Sequence, residues 1–195
     1  MRYVALGDSY TIGTSVTEEE AWPSQLASRV PDLKLVANLA VNGYTSRDVI
    51  ERELPQLQAL RPNLVTLLIG VNDVVQGVSD SDYAANVARL LDAIGRVVPV
   101  TRLVCVATPD YTATPSGADY GDPVAQSDRI ARVNAILREA CEQRAISFVP
   151  EIFEISQAVA EDASLVASDG LHPSGAQYAL WTDSIEPAVR RALSG

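Results

Sequence analysis

Short runs of β-branched and aliphatic residues alternate along this chain with longer segments in which apolar residues recur every three or four positions. The short runs predict strands, because a strand buried on both faces is a brief, continuously apolar segment. The longer segments predict helices, since this interval places apolar side chains in one stripe. The predicted strands are 2–6, 35–39, 64–69, 103–107 and 147–149. The predicted helices are 22–30, 46–60, 80–97, 127–144 and 175–193.

This alternation predicts the α/β class, with a five-stranded parallel sheet between two layers of helices. Strands that are joined through helices run parallel and use right-handed crossovers. We predict the flavodoxin-like strand order 2-1-3-4-5, in a single catalytic domain that covers residues 1–195, because a chain of this length is usually one domain. Within the second predicted helix, Pro55 is expected to introduce a kink.

The charge and composition of the chain argue against several classes of binding partner. A formal net charge of −10 opposes binding to phosphate backbones, so nucleic acid is not expected as a partner. No apolar stretch reaches the length of a membrane span, and stable membrane insertion is not expected. The chain starts without a signal-peptide pattern, which predicts a cytoplasmic location, although a mature secreted form would look the same. The single histidine and two separated cysteines do not form a zinc ligand set, so no metal is predicted.

Polar residues with catalytic chemistry follow four of the five predicted strands. Ser9 follows the first strand, Gly43 the second and Asn72 the third, while Asp169 and His172 lie beyond the fifth. Parallel strands bring all these positions to the carboxyl edge of the sheet, which is where open α/β sheets bind ligands. The sequence therefore predicts one site at that edge.

Ser9, His172 and Asp169 have the chemistry of an acyl-transfer triad. His172 is the only histidine, and Asp169, three residues earlier, can accept its Nδ1 proton within one loop. That leaves Nε2 free to accept the proton of the Ser9 hydroxyl. Each residue also has an ordinary explanation, since Ser9 could cap a helix and His172 could be a surface residue before a proline turn. The combination favours catalysis.

Asn72 and Gly43 are candidates for an oxyanion hole. The Asn72 amide can donate to a developing oxyanion, and a glycine lets a backbone N–H approach the substrate closely. Both residues are equally typical of turns, where Asn and Gly are common. The two interpretations of Gly43 are compatible.

The substrate-binding surface is less well indicated by the sequence. Four residues adjoin catalytic positions and are candidates for an apolar acyl cleft, although each could equally be a packing residue: Tyr44, Val74, Val75 and Leu171. Segment 108–126, after the fourth strand, is long for a connection and is either a cover over the site or a surface excursion. The sequence leaves the oligomeric state open.

Four ordered blocks resemble those of the GDSL, or SGNH, hydrolase family. The blocks are 7–10, 38–43, 70–73 and 169–173, which together extend over nearly the whole chain. Tyr10 stands where leucine is commoner in the first block, and Ala40 stands where the family often has an additional glycine. Any one block would be weak, whereas four in the right order are highly specific.

The resemblance implies a serine esterase that uses no cofactor. Ser9 would attack an ester carbonyl, His172 would accept its proton, and Asp169 would stabilise the imidazolium. The N–H groups of Ser9 and Gly43 and the side chain of Asn72 would hold the oxyanion. The expected partner is a small-molecule ester. Segment 108–126 carries three aspartates among its prolines and offers no apolar lid, so a short acyl chain is expected.

Two alternatives from other classes remain open at the level of sequence. A flavodoxin-like module that binds an anion or nucleotide would also use the loop after the first strand, and segment 9–14 offers hydroxyls and a glycine. That interpretation leaves Asp169 and His172 unexplained. The second alternative is an interaction domain without catalytic activity.

Overall fold

A five-stranded parallel sheet forms the centre of the molecule. The structure, a computed structural model, describes residues 1–194, so the predicted domain end at residue 195 lies outside it. The strands are β1 (Arg2–Gly7), β2 (Lys34–Asn38), β3 (Leu64–Leu68), β4 (Leu103–Val106) and β5 (Ser147–Val149). They pair in the order β2-β1-β3-β4-β5, which confirms the predicted topology. Each predicted strand end lies within one residue of the observed end.

The three central strands are the most apolar part of the core. Every residue of β3 and β4 is buried, as is all of β1 after Arg2. Helices cover both faces of these strands, which explains why their sequences are continuously apolar rather than alternating. The edge strand β2 is only partly buried.

The long helices agree with the predicted ones, and several short helices join them. The helices are α1 (Ser9–Ile12), α2 (Trp22–Arg29), α3 (Ser46–Asp48), α4 (Leu54–Leu60), α5 (Val71–Val75), α6 (Asp80–Gly95), α7 (Pro123–Glu142), α8 (Ile152–Gln157) and α9 (Gly175–Ser194). The prediction for α7 was wrong at its start. Asp122 caps this helix by accepting the Ala125 N–H at 2.9 Å, and Pro123 fits the first helical position because it needs no hydrogen-bond acceptor there.

The helix predicted over 46–60 contains a π-helical turn, Val49–Glu53, between α3 and α4. We predicted a kink at Pro55, and the irregularity lies immediately before it. The Leu54 N–H bonds to the Val49 carbonyl, five residues back, in the wide turn that defines a π-helix. This turn buries Glu53, whose Oε2 accepts the Gly7 N–H at 3.0 Å.

The carboxyl ends of all five strands lie at the same edge of the sheet, because every neighbouring pair is parallel. The connections that leave this edge carry the predicted site residues.

Among the helices of residues 1–194, none combines the length and the apolar character that a membrane crossing requires.

Candidate active site

Ser9 is the first residue of α1, directly after β1 and a tight bend. Asp8 caps this short helix, since its side chain accepts the Tyr10 N–H at 3.0 Å. The capping role that Ser9 could have had therefore belongs to Asp8. As the first helical residue, Ser9 has an N–H without an acceptor inside the helix. The bend needs a glycine at position 7, because a Cβ on Gly7 would lie 2.4 Å from the Leu68 carbonyl oxygen.

A compact loop, residues 165–174, carries Asp169 and His172. The loop closes on itself through a bridge between Val166 and Pro173 and a 2.7 Å bond from the Ala167 N–H to the His172 carbonyl. His172 Nδ1 lies 2.6 Å from Asp169 Oδ2. The three-residue spacing thus brings the acid and the base together, as the sequence predicts, and leaves Nε2 of His172 available to a second group.

The hydrogen bonds around Asp169 keep its carboxyl group ionised. Oδ1 accepts the backbone N–H groups of Leu171 and His172, each at 2.9 Å. Oδ2 accepts hydrogen bonds from His172 Nδ1 and from the Ser15 hydroxyl, each at 2.6 Å. Burial alone would raise the pKa of Asp169, but these hydrogen bonds outweigh it and hold the pKa well below its ordinary value. An ionised Asp169 can only accept, so the proton of a neutral His172 lies on Nδ1.

The Asn72 side chain and the Gly43 backbone lie on the opposite side of the site. Asn72 Nδ2 donates to the Tyr44 carbonyl at 2.9 Å and to Asp8 Oδ2 at 3.4 Å. The second bond is long and weak, so its hydrogen is the one that a substrate oxygen could take. Gly43 has a φ of +80°, and the position of a Cβ there would meet nothing within 4 Å. A glycine is therefore required at position 43 by the backbone conformation rather than by close packing.

Three buried carboxyl groups lie behind Ser9, the predicted nucleophile. Burial raises the pKa of Asp8 to about 7, and the charge of Asp73 adds to the effect. Burial likewise raises the pKa of Glu53 to about 9. Asp73 accepts the N–H of Ser46 at 2.8 Å and its hydroxyl at 2.5 Å. These groups connect Ser9, the Asn72 loop and α3 to the core.

A cavity of about 200 Å³ lies between these two sides. Its lining residues are Ser9, Tyr10, Asn42, Gly43, Val71, Asn72, Val75, Tyr111, Tyr120, Leu171 and His172. The structure therefore brings Ser9 and His172 to one cavity together with Gly43 and Asn72, the two other predicted oxyanion residues. Asp169 stands behind His172. Among the hydrogen bonds within residues 1–194, none joins Ser9 to His172, and such bonds often form only when substrate is bound.

Two of the four predicted substrate-binding residues line the cavity, and two do not. Val75 and Leu171 form part of its wall. Val74 is 1% exposed and packs in the core, because the short helix α5 turns it away from its neighbour Val75. Tyr44 has its ring under the guanidinium of Arg52, with 5.7 Å between the Arg52 Cζ and the ring centroid. Its contribution to the site is its carbonyl, which holds Asn72.

Segment 108–126 forms one wall of the cavity. It contributes Tyr111 and Tyr120, whose ring centroids are 5.6 Å apart in an edge-on arrangement. Its Ser116 N–H donates to the Gly170 carbonyl at 3.0 Å, which attaches the segment to the His172 loop. The segment is therefore part of the site's wall rather than a surface excursion away from it.

Sequence reasoning missed three further lining residues, Tyr10, Asn42 and Val71. Each directly adjoins a predicted site residue, which is the only signal that could have found them.

Within residues 1–194, no three His, Cys, Asp or Glu side chains are arranged so that they could hold a metal ion. The Thr14 hydroxyl, a candidate anion ligand in the flavodoxin-like alternative, donates to Asn42 Oδ1 at 2.6 Å instead.

Two curated relatives align with the chain. An N-acylneuraminate cytidylyltransferase from Streptococcus agalactiae serotype V is 25% identical over 193 residues, which cover 94% of this chain and 39% of that protein. An arylesterase from Vibrio mimicus is 31% identical over 101 residues, which cover 48% of each. The chain thus spans about two fifths of the first relative and about half of the second.

Solved structures with the same fold include an acetyl xylan esterase from Geobacillus stearothermophilus. The TM-score is 0.74 with 19% identity, and the alignment covers 96% of this chain and 94% of that one. At the level of sequence, the profile of the GDSL-like Lipase/Acylhydrolase family matches residues 5–180. The match includes all four blocks that carry Ser9, Gly43, Asn72 and His172. The chain belongs to the GDSL-like lipase/acylhydrolase family.

Proposed function

We propose that the protein is a serine esterase that cleaves short-chain carboxylic esters through an acyl-enzyme on Ser9. One observation carries the proposal: a histidine held at 2.6 Å by an ionised Asp169 shares a single cavity with Ser9. Because Nδ1 carries the proton and bonds to Asp169, Nε2 is the ring nitrogen that remains free to accept a proton from a group in the cavity. The reaction class that needs such a base beside a serine is acyl transfer.

The proposed reaction has two half-reactions. In the first, Ser9 Oγ bonds to the ester carbonyl carbon and its proton moves to His172 Nε2. The C–O bond to the alcohol then breaks, and the alcohol leaves with that proton. In the second, water attacks the acyl carbon and gives a proton to Nε2, and the bond to Ser9 Oγ breaks as the proton returns. Asp169 stays ionised throughout and stabilises the imidazolium.

The oxyanion would be stabilised by three donors. These are the N–H of Ser9 at the start of α1, the N–H of Gly43 and the Asn72 amide, which would exchange its weak 3.4 Å bond to Asp8 for the substrate oxygen. Donors that are already oriented stabilise the transition state without reorganisation, and each typically contributes on the order of 3 kcal/mol. Asn72 is oriented by its stronger bond to the Tyr44 carbonyl.

The relatives support ester hydrolysis as the chemistry. One aligned relative is an arylesterase, and one protein with the same fold is an acetyl xylan esterase. The arylesterase alignment covers only half of each chain, and the acetyl xylan esterase is similar in fold alone. Their substrates are therefore hypotheses for this chain, and the cytidylyltransferase name refers to a protein more than twice as long as the aligned part.

A short acyl group fits the cavity best. Its volume of about 200 Å³ is small for a long alkyl chain, and Asn42 and Asn72 add polar groups to its wall. Segment 108–126 also carries the exposed carboxylates of Asp119 and Asp122, which interrupt any continuous apolar face, whereas Asp110 is buried against α7 and α8. A lipase that acts on aggregated lipid usually has a broad apolar entrance.

The nucleophile can be tested by covalent labelling. A fluorophosphonate should add once to the protein, and peptide mass spectrometry should place the adduct on Ser9. Ser9→Ala should lose both labelling and esterase activity, while the control Ser28→Ala, an exposed serine on α2, should retain both. Labelling at another serine, or full activity in Ser9→Ala, would refute the mechanism.

Acyl preference can be tested with nitrophenyl esters of graded length, used below their micelle concentrations. Acetyl to butyryl esters should have the highest kcat/KM, and dodecanoyl esters should fall by about ten-fold or more because the cavity cannot enclose them. A preference for dodecanoyl esters would overturn the short-chain proposal and leave the chemistry intact.

A further inference from the structure

Ser15 has a backbone conformation that serine rarely adopts. It lies in the loop after α1 with a φ of +68°, in the left-handed region that favours glycine. The residue is exposed, yet its hydroxyl donates a 2.6 Å hydrogen bond to Asp169 Oδ2, across 154 positions of sequence. Residues that keep such a conformation often occur at functional sites, where other interactions compensate for the strain.

The loop that carries Ser15 is fixed on its other side. Gly13 ends α1 in a left-handed conformation, and a Cβ there would lie 2.6 Å from the Ala21 Cβ. The next residue, Thr14, donates its hydroxyl to Asn42 Oδ1 at 2.6 Å. Asn42 adjoins Gly43. Two consecutive hydroxyl groups thus connect one loop to the oxyanion side of the cavity and to the triad side.

The Ser15 hydroxyl completes the hydrogen bonding of the Asp169 carboxylate. Two backbone N–H groups occupy Oδ1, and His172 Nδ1 takes one position on Oδ2. Ser15 takes a further position on Oδ2. Without it, the carboxylate could rotate about its last side-chain bond or bind water, and Oδ2 would carry more of the charge that faces the imidazole.

We propose that Ser15 is a positioning residue of the active site, which holds Asp169 Oδ2 in line with His172 Nδ1 and moderates the charge that this oxygen presents to the ring. Its kinetic consequence rests on the proposed esterase function. The effect of Ser15 on the protonation of His172 is independent of that function, because the contacts among Ser15, Asp169 and His172 are present without substrate.

Few titratable groups face the Asp169 and His172 pair. The ring of Tyr10 lies 5.1 Å from that of His172, centroid to centroid. Tyr178 of α9 is near enough for the charge of Asp169 to act on it. Burial raises the pKa of both tyrosines well above the ordinary value, and nearby carboxylate charges add to the effect. Both remain neutral in a titration from pH 5 to 9. Asp8 is near enough for its charge to act on both tyrosines, and because burial raises its pKa to about 7 it titrates in the same range. Asp8 is present in the wild type and in the Ser15 variants alike, so the difference between their titrations reports on the Ser15 contact.

Two substitutions separate positioning from stability. Ser15→Gly removes the hydroxyl and also the left-handed strain, so its Tm should equal or exceed that of the wild type. Ser15→Ala removes the hydroxyl and keeps the strain. In both, kcat for a short ester should fall about five-fold with KM nearly unchanged, since the acid and base act after binding. The control Ser28→Ala removes an exposed serine hydroxyl on α2 and should leave kcat unchanged.

A readout that needs no substrate comes from the single histidine. Its imidazole signals can be followed by NMR as a function of pH. Loss of the Ser15 donor concentrates negative charge on Oδ2 and stabilises the imidazolium. The titration midpoint in Ser15→Gly should therefore move to higher pH, by roughly half a pH unit.

An unchanged titration midpoint in Ser15→Gly would overturn the inference, even if kcat falls. A loss of kcat that occurs only in Ser15→Ala, together with a lower Tm, would also overturn it and indicate a purely structural role. If the wild-type protein hydrolyses no ester, the proposed function fails, and the histidine titration still decides the role of Ser15.

Discussion

The two sides of the cavity that we propose as the active site are constructed differently. On the nucleophile side, Ser9 follows a central strand and is 8% exposed, and the carboxyl groups of Asp8, Glu53 and Asp73 are buried behind it. On the acid-base side, Asp169 and His172 lie on a surface loop, with side chains 30% and 12% exposed. The first side is a continuation of the core, whereas the second is held mainly by hydrogen bonds within and between loops.

This difference separates stability from catalysis. A change on the nucleophile side disturbs buried hydrogen bonds and should reduce both folding stability and turnover. A change on the loop side removes a bond that solvent can partly replace, so turnover should fall while the fold remains.

Asp169→Asn should reduce kcat by about 10⁴-fold and change the Tm by only a few degrees. An amide cannot stabilise the imidazolium, and its NH2 group favours the wrong tautomer of His172. The amide oxygen can still accept the backbone N–H groups of Leu171 and His172, so the loop should keep its shape. The measurements are steady-state kinetics on a short ester and thermal unfolding.

The matched control is Asp162→Asn, another loop carboxylate, which accepts hydrogen bonds from the backbone and side chain of Ser164. It does not line the cavity and should retain wild-type kcat. Nearly full activity in Asp169→Asn would show that another group orients His172. A large fall in Tm would contradict the separation between the two sides.

Asn72→Ala should reduce kcat by about 10²- to 10³-fold, through the loss of one oxyanion donor. It should also lower the Tm by several degrees, because the Tyr44 carbonyl and Asp8 Oδ2 lose their partner. The combined effect is what distinguishes the nucleophile side. KM should change little, since the donor acts mainly in the transition state.

Asn63→Ala is the control for that variant. Asn63 precedes β3 at the opposite edge of the sheet, where its Oδ1 accepts the Arg2 N–H at 2.8 Å. It should affect stability slightly and kcat not at all. If Asn72→Ala lowers only the Tm, Asn72 is a turn residue, which is the ordinary interpretation of its sequence context.

The sequence predicts the sheet well because its signal is local. Continuous apolar runs define β1, β3 and β4, and the carboxyl-edge rule then places Ser9, Gly43 and Asn72 in one region. The short spacing between Asp169 and His172 identifies their pairing without any knowledge of the fold. These inferences need only neighbouring residues and the direction of the strands.

Contacts between distant segments explain what the sequence could not predict. Ser15 is one of several exposed loop serines, and its partner is 154 positions away. Tyr111 and Tyr120 lie in a segment without regular periodicity, which is docked by a backbone bond to Gly170 and by bonds between Asp110 and the distant residues Ser156 and Gln157. Glu53 occurs in a helix among other charged residues, so nothing local indicates that a π-helical turn buries it against β1.

Glu53 provides the last and smallest prediction, which concerns stability alone. Burial raises its pKa to about 9, whereas an unfolded glutamate titrates near 4.3. Between these values the native state holds the proton and the unfolded state does not, so the free energy of unfolding falls as pH rises. Glu53→Gln cannot ionise, and its carbonyl oxygen can still accept the Gly7 N–H. The variant should match the wild type near pH 5 and exceed its Tm by about 3 °C or more at pH 9.

The test is thermal unfolding of both proteins from pH 5 to pH 9. Asp8, whose pKa burial raises to about 7, remains in the variant, so its part of the fall in stability is common to both proteins. The two curves should separate progressively from about pH 5 to pH 9. Glu51→Gln is the matched control, since Glu51 is exposed and pairs with Arg47 on the same helical stretch. Its curve should follow the wild type. If Glu53→Gln does so too, the carboxyl group behind β1 is not coupled to folding, and the nucleophile side is less rigidly joined to the core than its burial indicates.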